Sequence, residues 1–460
     1  MKVLDEITIK IEKLSNLGFG IAKQNKNGGH GGLVIFVENA CPGDELNVKI
    51  TKLTKNYANA QIVEILDKSP HRVEPFCALQ KICGGCQLQF IDYDYQLQLK
   101  KEIVSETVKM ISGVDIEVKD VIRSPQNKNY RHKVQYPISQ TKVSKRILAG
   151  YYKPKSHEII NIKHCPIQPE SCDEIIEFIR NKAFDYGISG YNEKKHSGDL
   201  RHVVLRVSKA TGKILVTLVV NSTKIFDRLK DFAQNIYDNF KEVSGVCVNF
   251  NSKKTNVIMG ENVELIAGKD FIKERILDKT FRIGPKTFFQ INPQSAENIF
   301  AFVKDYIKDN FENPTVLDAY AGVTAFGITI SDVCKKVVSV EENKEAVDLA
   351  SEIIGLNEIK NVELHNMDAQ KFFEKELKTK KRKFDAIILD PPRKGCSQES
   401  LDYAFQLCKG KIIYVSCNPA TLARDLKYLT SKGAEVEFIQ PFDMFCHTYH
   451  VESVAVININ

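Results

Sequence analysis

Short apolar runs separated by glycine-rich turns fill the first 67 residues. Four of these runs are rich in β-branched or alternating apolar positions: ITIKIEKL, GLVIFVENA, ELNVKITKLT and ANAQIVEIL. Such runs favour strands, and the turns between them contain Gly18, Gly28 and Gly31. Short strands at this spacing are typical of a small barrel of the oligonucleotide-binding type. Residues 1–67 are therefore predicted to form a small β-barrel.

The pattern changes in the middle of the chain. A linker at 69–76 has two prolines and no periodicity, and residues 93–111 then repeat apolar positions with helical spacing. Further on, RHVVLRVS and KILVTLVV are apolar enough for two neighbouring strands, and Thr211-Gly212 between them predicts a turn. This region is therefore predicted to mix helix and strand.

From about residue 281 to the end, strand-like runs alternate with helical stretches. The runs are TVLDAY, KVVSVE, FDAIILD and KIIYVSC. This alternation predicts a parallel, doubly wound α/β sheet. In such a sheet, reactive groups lie beyond the carboxyl ends of the strands, and Cys417 follows directly after KIIYVS. Its thiol is therefore expected to face a ligand, although a lone cysteine at a strand end is usually a small buried side chain.

Length and composition describe a water-soluble protein of several domains. The 460 residues predict two to four domains, and 43% of them are hydrophobic and 27% charged. No apolar run approaches the roughly 20 residues that span a bilayer. The start, MKVLDEITIKIEK, has acidic residues where a signal peptide is apolar, so a cytoplasmic location is expected. The twelve cysteines then favour metal or catalytic chemistry over disulfides.

Positive charge is concentrated between Lys119 and Lys163. Eleven lysines and arginines face two carboxylates there, a net charge of +9 against +7 for the whole chain. Tyrosines are interleaved with these cations, at 130, 136, 151 and 152. The mixture suits a surface that binds phosphates and stacks on bases, although a solvated charged face is the alternative. Tyr130, Arg131 and Lys133 are the candidate RNA contacts.

Four cysteines have spacing typical of a metal centre. Three form C-x5-C-G-G-C and a fourth lies in HCPIQP: Cys77, Cys83, Cys86 and Cys165. Four thiolates can hold zinc or an iron–sulfur cluster, and this spacing departs from the two close pairs of structural zinc. The sequence favours a cluster but leaves zinc, or no metal, open. Gly84 and Gly85 would let the chain turn tightly and direct amide hydrogens at sulfur atoms.

The segment PTVLDAYAGVTAFGI, 314–328, predicts a strand, a glycine turn and a helix start that could bind a nucleotide. Thr324 stands where such loops usually have a second glycine. Glu341 ends the next strand nineteen residues after Gly322, close to the offset at which a carboxylate meets ribose hydroxyls. Asp368, at the following strand end, could meet an adenine edge. Together these acids favour an adenosine-containing ligand.

FDAIILDPPRKG places Asp390 at a strand end, followed by two prolines that stiffen the backbone. An acid held in this way recurs in methyltransferases. Where an aromatic residue follows the prolines, the methylated atom is usually an amino nitrogen. Arg393 follows here, which argues against amino-group methylation.

These motifs resemble the S-adenosylmethionine-dependent RNA uracil-5-methyltransferases, above all the iron–sulfur type that acts on bacterial 23S ribosomal RNA. The resemblance covers nearly the whole chain. LSNLGFGIAK and IFVENACPGD resemble the TRAM domain, an RNA-binding barrel. The remaining motifs are C-x5-CGGC with HCP, NYRHK, FFQIN, DAYAG, LDPPRKG, SCNPATLARD and HVES.

The resemblance implies an α/β fold with three domains. Residues 1–67 would form the TRAM-like, oligonucleotide-binding-type barrel. Residues 68–92 and 118–278 would form an α+β central domain that carries a [4Fe–4S] cluster and binds RNA. Residues 93–117 and 279–460 would form a Rossmann-like class I methyltransferase domain. The implied partner is RNA, most of all 23S ribosomal RNA, with no membrane and no obligate protein partner.

The resemblance also assigns roles to individual residues. Gln290, Tyr320, Glu341 and Asp390 would bind S-adenosylmethionine, and Phe288 would lie near the target base. Cys417 would attack carbon 6 of uracil, and Glu452 would remove the proton from carbon 5. The cluster would be held by Cys77, Cys83, Cys86 and Cys165. The chain departs from the family at Ala321, Thr324, Ala325 and Cys446, and none of these positions carries a reacting group.

Three alternatives share some of these features. A tRNA uridine-5-methyltransferase differs only in its RNA. A noncatalytic RNA-binding or ribosome-assembly factor could retain the barrel and the cluster. DNA cytosine methylation also uses a cysteine, but typically in a Pro-Cys loop and without an RNA-binding barrel.

Overall fold

A computed structural model describes residues 1–24, 32–380 and 382–459 of the chain. The predicted glycine turn at Gly28 and Gly31 lies outside these residues. Among the helices described, none combines the length and the apolar character needed to cross a bilayer.

The described N-terminal residues form one curved sheet with the strand order β1-β5-β6-β4-β3-β2. β4 and β6 are parallel, and the other pairs are antiparallel. In β5, Leu46, Val48 and Ile50 point inward and are fully buried, as the alternating pattern predicts. The strands are β1 Glu6–Lys10, β2 Lys13–Leu14, β3 Gly20–Gln24, β4 Leu33–Val37, β5 Glu45–Leu53 and β6 Tyr57–Asp67.

The helix predicted at 93–111 is α1, Tyr93–Ser112. The Asp92 side chain accepts the amide hydrogen of Tyr95 at its start, and Gly113 ends it with φ +75°. Its buried face includes Gln96 and Lys100 besides the apolar residues. The helix packs mainly against the C-terminal helix Pro419–Ser431, and Val104 and Val108 belong to the core that this helix shares with the C-terminal sheet.

The central region is an α+β layer with the strand order β12-β11-β10-β9-β7-β8. β9 and β10 are antiparallel and joined through Gly212 at φ +67°, which confirms the predicted pair and turn. β10 and β11 are parallel and connected by α3. The elements are β7 Lys133–Gln140, β8 Ile147–Ala149, α2 Glu170–Lys182, β9 Leu200–Val207, β10 Ile214–Val220, α3 Asp227–Asn239, β11 Val243–Phe250 and β12 Val263–Gly268.

A hairpin of β13 and β14 leads into the C-terminal part. Its bounds and those of the elements that follow are β13 Ile272–Ile276, β14 Lys279–Ile283, α4 Pro293–Asn310, β15 Thr315–Ala319, α5 Ala325–Thr329, β16 Lys336–Glu341, α6 Lys344–Leu356, β17 Val362–Asn366, α7 Ala369–Lys375, β18 Phe384–Leu389, α8 Gln398–Leu407, β19 Cys408–Ser416, α9 Pro419–Ser431, β20 Glu435–Phe442 and β21 Glu452–Asn458. A short 3₁₀ helix, Ser331–Val333, follows α5, and a π-helical turn, Glu376–Lys380, follows α7.

The C-terminal sheet has the strand order β17-β16-β15-β18-β19-β21-β20. The strands from β17 to β19 are parallel, whereas β21 runs antiparallel to both of its neighbours. Helices α1, α7, α8 and α9 cover one face, and α4, α5 and α6 cover the other. This arrangement confirms the predicted doubly wound α/β sheet, and its strand order reverses between β15 and β18, where ligands bind in such folds.

Candidate active site

A cleft of about 1240 Å³ opens at the carboxyl ends of the parallel strands. It collects residues from β15, β16, β18 and β19 and from the segment before α4. All eight residues that the sequence predicted for cofactor, base and catalysis line it: Gln290, Tyr320, Glu341, Asp368, Asp390, Phe288, Cys417 and Glu452. The reversal in strand order thus places residues that are distant in sequence around one space.

Glu341, at the end of β16, fixes the turn that follows β15. Its carboxylate accepts the amide hydrogens of Gly322 at 2.9 Å and Asn343 at 2.8 Å. A carboxylate has about four lone-pair positions, so it can accept ligand hydroxyls as well. Asp368 caps α7 by accepting the amide hydrogen of Lys371 at 3.0 Å, and it also faces the cleft. Both acids therefore hold the backbone and face the ligand space.

Thr324 adopts a backbone conformation that favours glycine. Its φ is +60°, and its side chain is 1% exposed. The turn is closed by the amide of Thr324, which donates to the Ala321 carbonyl at 2.7 Å. A β-branched residue at positive φ is strained. The threonine at position 324 therefore leaves the turn in place and adds backbone strain beside the cleft.

Cys417 occupies the position predicted from its strand. It follows β19 directly and is half-buried, and the side chain of Asn418 accepts the amide hydrogen of Ala420 at the start of α9. Burial raises the pKa of the Cys417 thiol, Glu452 raises it further, and the neighbouring Arg393 guanidinium opposes both. Because burial has the largest effect, the net shift in pKa disfavours the thiolate. The positive charge of the nearby Arg393 favours it.

Glu452 begins β21 and is 7% exposed. Burial, with a smaller contribution from Asp390, raises the pKa of Glu452 to about 8, and Arg393 acts in the opposite direction. Burial likewise raises the pKa of Asp390 to about 7. A carboxyl group that titrates close to neutral pH is suited to proton transfer.

Two further side chains face the same space. Arg393 is exposed at the cleft mouth and lies beside the Cys417 thiol. Phe445 lines the cleft from the segment between β20 and β21. In the sequence, Arg393 argues only against an amino-group target, although its place after Asp390-Pro-Pro could have suggested a contact. Nothing local to Phe445 indicates its position.

Replacing Glu452 with glutamine is expected to raise the melting temperature, and more at pH 8 than at pH 5. In the unfolded chain the carboxyl ionises near its ordinary pKa of 4.5, but in the folded chain only near 8. Between these values the unfolded state binds fewer protons, so the wild-type protein loses stability as the pH rises. Glutamine does not titrate. Thermal unfolding of both proteins measures the difference, with Glu435→Gln, an exposed site, as the control. If the difference in melting temperature between the wild type and Glu452→Gln did not change with pH, the raised pKa of Glu452 would be refuted.

Three of the four candidate metal-binding cysteines belong to one buried neighbourhood. Cys83, Cys86 and Cys165 contact the central core, and burial raises the pKa of all three thiols. Cys77 adds to the electrostatic shift of each. The Gly85 amide donates to Cys83 Sγ at 3.4 Å, as predicted. The prediction for Gly84 is wrong, because its amide donates to the Tyr152 carbonyl at 3.3 Å.

Within the described ranges, no three His, Cys, Asp or Glu side chains converge closely enough to hold a single metal ion. A mononuclear site requires four ligands at about 2.3 Å from one point. The sulfur atoms of the cysteine lobe, residues 77–88 with Cys165, do not meet that requirement.

In the basic segment, the prediction that Tyr130 contacts RNA is wrong. Its side chain is 1% exposed, and its hydroxyl donates to the Cys446 carbonyl at 2.9 Å. Arg131 also points inward, with its guanidinium 5.4 Å from the ring centroid of Tyr151 and close to the cysteine thiols. Lys133 is half-buried, and burial lowers its pKa to about 8. Tyr136 is fully buried as well.

Comparison with known families identifies the family to which this chain belongs. A family model described as tRNA (Uracil-5-)-methyltransferase matches residues 92–459, and a TRAM domain model matches residues 2–63. The chain belongs to the tRNA (uracil-5-)-methyltransferase family. It is therefore an RNA (uracil-5-)-methyltransferase with an N-terminal TRAM domain, as the motifs predicted.

Two related bacterial proteins align with this chain over nearly its whole length. A Bacillus cereus protein named uncharacterized RNA methyltransferase is 36% identical over 98% of this chain and 97% of its own length. A Clostridium tetani protein of the same name is 37% identical over 97% of this chain and 95% of its own length. The match thus includes the cysteine lobe as well as the catalytic domain.

A solved structure in the family has the same overall fold. Pyrococcus abyssi tRNA (uracil-54, C5)-methyltransferase, in complex with S-adenosyl-L-homocysteine, is 30% identical with a TM-score of 0.77. The similarity covers 98% of this chain and 100% of that chain.

Proposed function

We propose that this uracil-5-methyltransferase transfers a methyl group from S-adenosylmethionine to carbon 5 of a specific uridine in RNA, through a covalent adduct at Cys417. The convergence of Cys417, Glu452 and Asp390 on one cleft carries the proposal. The cleft also holds two acids that are oriented by backbone amides: Glu341 fixes the turn after β15, and Asp368 caps α7. The arrangement joins a nucleophile, a base and a cofactor space, as this reaction requires.

The residues around the turn fit the methyl donor. Glu341 and Asp368 are oriented by backbone bonds and can accept hydrogen bonds from ribose and adenine. Tyr320, Gln290 and Asp390 surround the rest of the same space. S-adenosylmethionine supplies an electrophilic methyl group on a cationic sulfonium when it is bound. A carboxylate at Asp390 favours that cation electrostatically.

Cys417 starts the reaction. Its sulfur forms a bond to carbon 6 of uracil, and the electron pair of the carbon 5–carbon 6 double bond moves toward the oxygen on carbon 4. Carbon 5 then becomes nucleophilic enough to take the methyl group. A thiol with its ordinary pKa near 8.5 is mostly protonated at neutral pH. The Arg393 guanidinium beside Cys417 favours the thiolate that attacks.

Glu452 completes the reaction. Its carboxylate takes the proton from carbon 5, the electron pair reforms the double bond, and the sulfur–carbon 6 bond breaks. The products are 5-methyluridine, S-adenosylhomocysteine, the Cys417 thiolate and Glu452 in its protonated form. The raised pKa of Glu452, about 8, makes it a stronger base than an exposed glutamate.

The cleft mouth suits an extruded base. Phe288 is 70% exposed there, although the backbone beside it is held by buried Arg206, which donates to the carbonyl of Pro285 at 3.2 Å. An exposed aromatic ring on a fixed segment can stack on a base, and Arg393 can meet a phosphate or a carbonyl oxygen. A uridine in folded RNA must leave its stack before Cys417 can reach it.

Large-subunit ribosomal RNA is our first substrate hypothesis. It rests on the resemblance of the barrel and the cysteine motif to the 23S ribosomal type. Transfer RNA is the second, since the similar Pyrococcus abyssi enzyme is a tRNA (uracil-54, C5)-methyltransferase.

Mapping 5-methyluridine in ribosomal and transfer RNA tests both hypotheses. Cells with and without the gene are compared, and the gene with Cys417→Ala serves as the control. We expect one or two 23S positions to lose the methyl group, and to regain it only with the wild-type gene. A loss confined to tRNA would select the second substrate. Unchanged methylation at every uridine would refute the proposed function.

We further propose that Cys77, Cys83, Cys86 and Cys165 hold a [4Fe–4S] cluster. In a cluster each thiolate binds a different iron, so the sulfur atoms need not converge on one point. The inward-facing Arg131 compensates negative charge on these sulfurs, and the Gly85 amide donates to Cys83 Sγ. A cluster held by these residues would link the 77–86 segment to Cys165.

The cysteine lobe is expected to contain iron and acid-labile sulfide, about four of each per chain after anaerobic purification. Cys165→Ser should lose most of both, because it removes the ligand from the distant segment. Cys172→Ala is the matched control, since Cys172 is a buried cysteine of α2 near Cys165. Zinc in place of iron, or iron that survives Cys165→Ser, would contradict the cluster.

A further inference from the structure

The loop 443–451 joins β20 to β21 and ends at the catalytic base. Phe442 and Glu452 lie opposite each other in the antiparallel pair, so the loop closes this hairpin. Phe445, within the loop, lines the cleft beside Cys417 and Glu452. The conformation of the loop therefore determines where β21 begins and where the Glu452 carboxyl lies.

A buried ion pair holds the first half of the loop. Lys100 Nζ lies 2.5 Å from Asp443 Oδ1, and both side chains are fully buried. Lys100 also donates to the Phe445 carbonyl at 3.0 Å, and the Tyr93 hydroxyl donates to Asp443 Oδ2 at 2.8 Å. Helix α1 thus anchors the first half of the loop.

His447 ties the second half of the loop to the cysteine lobe. Its carbonyl accepts the amide hydrogens of Gln87 and Leu88, both at 2.9 Å, directly after Cys86. The residue is 3% exposed, and its φ of +61° is unfavourable for a side chain larger than glycine. External contacts must therefore maintain this backbone conformation.

Both ring nitrogens of His447 are also engaged. Nδ1 lies 3.3 Å from Gln96 Nε2, which already donates to the carbonyls of Leu88 and Ile91. The Asn127 carbonyl can only accept, so Nε2 carries the proton and donates it at 2.9 Å, and Nδ1, which then has no hydrogen, accepts a shared hydrogen from Gln96. Burial lowers the pKa of His447 to about 4, so the ring stays neutral in this bridging form.

We propose that His447 is a positioning residue that couples the cysteine lobe and helix α1 to the catalytic base Glu452. It joins Gln87 and Leu88, Gln96 and Asn127 to a loop whose end is the carboxyl that removes the proton from carbon 5. When the two ring bonds, to Gln96 and Asn127, are lost, the loop relaxes and Glu452 moves away from that proton. A misplacement of about 1 Å at a reacting group can slow a step about 100-fold. The inference rests on the proposed covalent reaction.

Replacing His447 with phenylalanine tests the coupling, because it keeps the ring that lies 4.9 Å from Phe76 and removes both hydrogen bonds. Single turnovers use S-adenosylmethionine with a labelled methyl group, and a denaturing gel separates free RNA from the protein–RNA adduct. We expect the labelled adduct to accumulate about tenfold over wild type, with cofactor affinity within twofold. His447→Asn, which can still accept from Gln96, should give an intermediate amount.

Tyr449→Phe is the matched control in the same loop. The Tyr449 ring packs against Gly18 of the barrel, and in the described part of the chain its hydroxyl has no hydrogen bond. This variant should behave like the wild type. Wild-type adduct levels in folded His447→Phe would overturn the inference, as would an equal slowing of adduct formation and release. A missing adduct in Glu452→Gln, by contrast, would overturn the proposed covalent reaction itself.

Discussion

Replacing Cys417 with alanine is expected to abolish RNA methylation while cofactor binding is retained. The thiol is the only group in the proposed reaction that makes carbon 5 nucleophilic, so turnover should fall by about 10⁴-fold or more, as for other nucleophiles. The contacts that fix the cofactor turn come from Glu341, on a different strand, and do not involve Cys417. Transfer of labelled methyl groups to RNA measures activity, and calorimetry measures cofactor affinity.

Cys408→Ala provides the matched control for this variant. Cys408 begins the same strand, β19, at the end away from the cleft, and it is buried in the core. Its truncation should cost some stability and leave methylation largely intact. If Cys417→Ala retained more than about 1% of wild-type turnover, far above the loss expected for a nucleophile, the covalent mechanism would be wrong.

The positions of Cys417 and Asp390 could be predicted because two regularities coincide there. The apolar runs fix where β18 and β19 end, and a parallel sheet gathers those ends at one edge. The same reasoning placed Glu341 and Asp368, and all four line one cleft. Gln290 and Glu452 were identified only through the family's motifs, because neither follows a strand of the parallel set.

The basic segment shows where sequence patterns fail. Tyrosines interleaved with cations suggested a stacking surface, but β7 alternates sides, and its pattern turns Tyr136 into the core. Tyr130 is buried, and its hydroxyl donates to the carbonyl of Cys446, 316 residues further along the chain. Similarly, Lys100 breaks the apolar pattern of α1, and its partner Asp443 lies 343 residues further on. Such partners depend on tertiary contacts that local periodicity does not contain.

Replacing Glu452 with glutamine is expected to stop the reaction after methyl transfer. Cys417 can still attack, and carbon 5 can still take the methyl group. Glutamine cannot accept the proton from carbon 5, so the sulfur–carbon 6 bond persists. Loss of a positioned base costs about 10²–10⁴-fold in turnover. Because Glu452 is buried beside Asp390, the neutral glutamine also removes a charge repulsion and should leave the fold intact.

The position of the label identifies the step that Glu452→Gln blocks. With a labelled methyl donor, the denatured protein–RNA adduct should carry the label, and released RNA should not. An unlabelled adduct would place the arrest before methyl transfer and would contradict the role of Glu452 as the base. The double variant Cys417→Ala, Glu452→Gln should form no adduct, because the bond that traps the RNA is the one from Cys417 Sγ to carbon 6. An adduct in the double variant would assign the nucleophile to another residue.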